Sequence, residues 1–139
     1  MKLISRSIML SIIFVMITSL VFCIHSRAEI PINATYNEVF TDQFFAECVT
    51  EKLGKQEDDI IDENDLLGVT NLFCGYREIM YVEGVQYMKN LETLNFTFNY
   101  VSDLTPIKDL IKLKTLEINV NEITDINILA NLDNLVELN

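Results

Sequence analysis

Apolar and polar positions change rhythm along this chain. An unbroken, largely apolar run fills Ile8 to Ile24. Phe45, Cys48, Val49 and Leu53 then recur at the spacing of one helix face. From Val69 onward the apolar residues follow a 22-residue period instead. LETLNFTFNYVSDLTPIKDLIK starts at Leu91, LKTLEINVNEITDINILANLDN starts at Leu113, and the stub LVELN starts at Leu135. Leu91/Leu113, Leu94/Leu116, Asn99/Asn121, Asp103/Asp125 and Leu110/Leu132 match in type. Phe96/Ile118, Val101/Ile123, Leu104/Ile126 and Ile107/Leu129 keep apolar character.

A fixed period enclosing L-x-x-L-x-(L/I/F)-x-x-N marks a leucine-rich repeat, in which each unit buries its apolar face on its neighbours. The expected fold is an α/β leucine-rich-repeat solenoid. A helical N-terminal cap precedes about 2.5–3 repeats, with a parallel concave sheet and 3-10 segments on the convex side. Residues 69–90 form a degenerate first repeat, because Val69, Leu72, Cys74, Ile79, Val82, Val85 and Met88 keep the apolar phase. Arg77 stands there in place of the asparagine and Tyr81 in place of the aspartate. Residues 91–112 and 113–134 are regular repeats, and 135–139 is a truncated one.

Strand alternation turns Leu94, Phe96, Leu116 and Ile118 inward and the residues between them outward. The candidate binding face is therefore Thr93, Asn95 and Thr97, then Thr115, Glu117 and Asn119 one coil later, then Glu137. Asn99 and Asn121 sit where the chain leaves each strand. Their amides carry donors and acceptors, which suits a structural ladder satisfying backbone groups of adjacent coils. Ser102-Asp103 and Thr124-Asp125 are expected to cap the convex segments.

The cap, residues 29–68, has its own punctuation. Glu29–Asn37 reads as extended or loop, with Pro31 restricting the residues before it. Thr41 is the expected N-cap of the following helix, with Asp42 in its first turn and Phe40 and Phe45 stapling the entry. Gly54 ends that helix. EDDIIDEND is an acidic linker in which Asp62 caps a short helix around Leu66–Leu67. Asp58, Asp59, Asp62 and Asp65 lack the ligand alternation and central glycine of an EF-hand calcium loop.

Residues 1–28 combine Lys2 and Arg6, the apolar run and the exit HSRA, which is the layout of a secretory signal peptide cleaved after Ala28. An uncleaved anchor is the competing reading, since the run is near the short limit for a span. Removal of that segment takes three basic residues and the only histidine, His25, leaving 10 − 3 = 7 basic against 21 acidic residues and a net charge of 7 − 21 = −14. Such a chain repels phosphate backbones, so no nucleic-acid partner is expected. The surplus acid favours a basic partner patch or serves only solubility. Without histidine the mature chain lacks Ser-His and Cys-His arrangements, and its glycines form no phosphate loop. No catalysis, cofactor, metal or small-molecule substrate is expected. Cys48 and Cys74 could bridge in an oxidising compartment. Both occupy apolar pattern positions, which favours two small buried hydrophobes.

IPIN (Ile30–Asn33), VFTDQFFAECVTEKLGK (Val39–Lys55), NDLLGVTNL (Asn64–Leu72) and VEGVQYMKNLETLNF (Val82–Phe96) together resemble the internalins, secreted or surface leucine-rich-repeat proteins of Gram-positive bacteria. The resemblance covers nearly all of the mature chain. It implies a secreted protein-binding module that adheres to a host cell-surface protein through its concave face. Internalin faces that bind receptors usually present aromatics, whereas the outward positions here are Thr, Asn and Glu. Tyr76, Phe98 and Tyr100 lie near strand ends, where they could supply some of that aromatic area; covering the edge of the core is the favoured expectation. The family also carries more repeats than are found here. The chain stops within a strand at Asn139, so Leu135 and Leu138 lack a covering coil. That suggests a truncated member, self-associating through its open last strand, with a non-functional remnant or structural fragment of a longer adhesin as the alternative.

Overall fold

The computed structural model describes residues 29–139. The expected signal peptide and its cleavage point lie outside the described residues. Three helices open the described chain: α1 (Tyr36–Val39), α2 (Gln43–Leu53) and α3 (Glu63–Leu67). Four short strands follow, β1 (Asn71–Phe73), β2 (Thr93–Asn95), β3 (Thr115–Glu117) and β4 (Glu137–Leu138), paired in parallel in chain order. Asn71 pairs with Thr93 and Thr93 with Thr115, so one repeat length separates each partner from the next. Between strands the chain returns through 3-10 turns at Val85–Tyr87, Thr105–Ile107 and Asn127–Asn131. This is a leucine-rich-repeat solenoid.

A single apolar core runs from cap to repeats. Leu72, Leu94 and Leu116 stack in register, each 0–1 % exposed. An aromatic chain leads from cap to repeats: within the cap Phe40 lies on Phe45 at 5.3 Å, and Phe45 meets Phe96 of the repeats at 5.4 Å between ring centroids. Edge-to-face pairs of this kind add to the stabilisation from area burial alone.

Three expectations about the cap need correction. Asp42, not Thr41, is the N-cap of α2: its Oδ1 accepts from the Phe45 N–H at 3.1 Å. Its Oδ2 accepts from the Met80 and Tyr81 N–H groups at 2.8 and 3.1 Å, so a buried carboxylate joins cap to first coil. That second use is tertiary and leaves no local signal. Tyr36 and Asn37 begin a helix running to Val39 rather than ending an extended or loop stretch, because Thr35 and Glu38 form a reciprocal capping box. Cys48 and Cys74 are joined in a disulfide, with Cα atoms 5.8 Å apart. The apolar pattern placed each cysteine correctly in the core, but only packing of α2 on β1 brings the two together.

Other local signals have structural counterparts. Gly54 takes a left-handed φ of 68° at the end of α2, and Asp62 accepts from the Asn64 N–H to cap α3. Asp65 pairs with Lys55 at 2.8 Å and Asp59 accepts from the Gln56 N–H, so these linker carboxylates hold the loop. Asp103 and Asp125 accept from the Thr105 and Asn127 N–H groups; the bonds from Thr105 hold the Asp103 carboxyl below its ordinary range.

Gly84 lies directly against the Phe40 ring where cap meets repeats. A Cβ there would lie 2.3 Å from the Phe40 ring, and φ is +100°. Gly84→Ala is expected to lower stability by about 2 kcal/mol, through overpacking added to left-handed strain. Gly54→Ala has no atom within 4 Å of its new Cβ and should cost about 1 kcal/mol, from backbone strain alone. Urea midpoints of the two variants read the difference.

Candidate binding face

β1, β2 and β3 each contribute three residues, and their middle leucines point into the core, while β4 contributes two residues, both exposed. Outward positions are therefore fixed in rows. One row is Asn71, Thr93, Thr115 and Glu137; the next is Phe73, Asn95 and Glu117. Thr97 and Asn119 lie just past the strand ends, with Asn119 exposed. The rows are not uniformly polar. Phe73 is 61 % exposed beside Asn95, an aromatic that the regular repeats alone did not reveal. Asn95 and Glu117 are tied to one another, the Asn95 amide donating to the Glu117 carboxylate. The Asn95 Oδ1 also accepts from the Thr97 N–H at 2.8 Å. These two side chains form a fixed polar floor.

Below the strand ends the ladder asparagines hold the coils. Asn99 is buried; its Nδ2 donates to the carbonyls of Cys74 and Phe96, both at 2.8 Å, and its Oδ1 accepts from the Arg77 and Ile79 N–H groups. Asn121 repeats the pattern half-buried, donating to Phe96 and Ile118 and accepting from the Val101 N–H at 2.9 Å. Arg77, at the asparagine position of the first coil, reaches back to Glu51 on α2 instead. A cap replaces the missing neighbour there, and an ion pair replaces the amide. A second ladder, unforeseen from the sequence, joins neighbouring coils on the returning side: Lys112 donates to Asn90, and Asn134 donates to the Ile111 carbonyl.

The aromatics expected to cover the core edge instead face outward. Tyr76 is 75 % exposed and Phe98 45 %, and their rings stack at 4.5 Å. Tyr76, Phe98 and Val120 share one repeat position and the same left-handed backbone, with φ of 60°, 56° and 56°. For bulky side chains that geometry costs about 1–2 kcal/mol per residue, and glycine or asparagine would relieve it. The conformation is held because Tyr76 and Phe98 each donate an N–H to the next coil, at 2.9 Å. Large apolar side chains thus stand outward at positions where the backbone disfavours them. Their signal was their 22-residue spacing; what could not be read was the sign of φ, which aims them away from the core.

Met80, Tyr81 and Tyr100 continue this apolar edge and, with Ser102 and Glu122, line a cleft of about 220 Å³. Among the described residues no helix is long and apolar enough to cross a membrane.

No protein-family model matches the chain. Solved structures do. An internalin (InlF) from Listeria monocytogenes shares 36 % identity over 76 % of this chain, with a TM-score of 0.75. The functional domain of InlJ from the same organism, described as including a cysteine ladder, shares 28 % over 76 % with a TM-score of 0.71. An internalin C2 of L. monocytogenes shares 30 % over 76 % with a TM-score of 0.61. The match spans 32 %, 23 % and 57 % of those chains respectively. The chain thus spans less than two thirds of each of these proteins, and it is an internalin-like member of the leucine-rich-repeat proteins.

Proposed function

We propose that this chain is a secreted adhesion module that binds a host cell-surface protein. Its contact area would be the concave rows Thr93, Asn95, Thr97, Thr115, Glu117, Asn119 and Glu137 together with the aromatic edge beside them. The observation that carries the reading is the exposed Tyr76–Phe98 stack, held outward by strained backbone. Aromatic anchors dominate interface energetics, and polar surroundings mainly exclude water from them. The Asn95–Glu117 floor is already hydrogen-bonded and fixes orientation more than it adds affinity.

Binding of fluorescent protein to intact cultured animal cells tests this. Saturable binding that disappears after the cells are trypsinised is expected. Tyr76→Ala combined with Phe98→Ala should weaken it at least about tenfold, whereas Lys108→Ala on the convex side should leave it unchanged. Binding that survives trypsin, or that ignores the aromatic pair, would overturn the reading.

A further inference from the structure

We infer that the cleft between Met80, Tyr81, Tyr100, Ser102 and Glu122 is a subsite for a cationic side chain, a lysine or arginine of the protein partner. This rests on the reading of the aromatic edge as a protein-binding face and names the chemistry that face would recognise. Three coils build the cleft. Met80 and Tyr81 come from the first, Tyr100 and Ser102 from the second and Glu122 from the third. Tyr100 and Glu122 occupy equivalent positions, so an aromatic wall and a carboxylate stand on successive coils.

The composition of the cleft is selective. Met80, Tyr81 and Tyr100 are 52 %, 60 % and 49 % exposed, which offers apolar and π surface to a methylene stem. Ring faces attract a cation held over them, and Glu122 supplies a full negative charge. Among the described residues Glu122 takes part in none of the ion pairs, which join Lys55 to Asp65, Arg77 to Glu51 and Lys114 to Glu92. No basic residue lines the cleft, while Lys89, Lys108 and Lys112 line a separate one with Tyr87 and Asn90. A cation must therefore come from outside. The surplus of acid over base in residues 29–139, 21 against 7, would draw it in.

The backbone that carries the walls is also fixed in advance. Asp42 holds the Met80 and Tyr81 N–H groups, Ile79 accepts from the Tyr100 N–H at 2.8 Å, and Val101 accepts from the Glu122 N–H at 2.9 Å. A pre-positioned site loses less free energy to ordering when it is filled. At about 220 Å³ it has room for one side chain rather than a folded segment.

The test is an NMR titration of the full chain, labelled at methionine methyls and tyrosine rings, with N-acetyl-lysine methylamide, its arginine counterpart and the neutral norleucine counterpart. The basic probes should shift Met80, Tyr81 and Tyr100, with norleucine binding about three- to fivefold more weakly. Glu122→Gln should bring the lysine probe close to the norleucine level and reduce its salt dependence. Tyr100→Ala, at an exposed position, should reduce all three probes while leaving the rest of the spectrum unchanged. Equal binding of norleucine, or no shift with any probe, would overturn the proposal. Choline binding more tightly than the lysine probe would also overturn it, because the source would then be a headgroup. Since the probes are free in solution, the cleft can fail while cell binding stands, and the reverse.

Discussion

Breaking the Cys48–Cys74 bridge is expected to cost about 3.5 kcal/mol, the chain-entropy value for a closed loop of this length. The two cysteines are 26 residues apart, and the loop between them contains α3, the acidic linker and β1. Without the bridge the unfolded chain gains conformations while the folded one keeps its packing. In a chain of residues 29–139, which leaves out Cys23, a Cys48→Ala/Cys74→Ala double variant isolates this effect, because no free thiol remains to be buried or oxidised. Urea unfolding should show a lower midpoint with a larger slope, since the unbridged unfolded state is more expanded. Alkylation of the oxidised 29–139 chain before reduction should add nothing to its mass. Two alkylated cysteines in that sample would show that the bridge is absent.

Asn99→Ala should be comparably damaging, at about 3 kcal/mol. Its amide serves Arg77, Ile79, Cys74 and Phe96 at once. The Phe96 carbonyl keeps the Asn121 amide as a second donor. The Arg77 and Ile79 N–H groups and the Cys74 carbonyl are the ones left unpaired. Each unsatisfied buried group costs about 1–3 kcal/mol, reduced where water can reach it. Asn121→Ala orphans the Val101 N–H and the Ile118 carbonyl at a half-exposed site, so about half the loss is expected. Asn99→Asp should fare no better than alanine, because it sets a carboxylate oxygen against the Cys74 carbonyl. If the two asparagine variants proved equal, the ladder would not depend on burial as argued.

Both effects converge on one short segment. Phe73, Cys74 and Tyr76 stand together where β1 leaves the sheet; Cys74 is bonded to α2, and its carbonyl to Asn99. The segment that presents the first aromatics is thus tied down both by the disulfide and by the Asn99 amide. Loss of either tie should therefore weaken partner binding beyond what global stability explains. Cap and repeats act here as one scaffold, with Asp42 holding Met80–Tyr81 on the next stretch of the same edge.

The sequence by itself determined the solenoid, because a 22-residue apolar period has few ways to bury its leucines other than stacking in register. It also determined which residues face out of each strand, since alternation is a local property of extended backbone. The asparagine positions followed from the same period, and Gly54 and Asp62 from the local chemistry of helix ends. Tertiary structure decided the rest. Asp42 displaced Thr41 as the cap because its second oxygen meets Met80 and Tyr81 across the interface between cap and repeats. Cys48 and Cys74 became a bridge because α2 lies on β1, a distance that no spacing encodes. Tyr76 and Phe98 turned outward because a left-handed φ, stabilised by hydrogen bonds to the next coil, reversed the direction that their apolar character suggested. Periodicity reports which residues share a face; only the packed chain settles what that face meets.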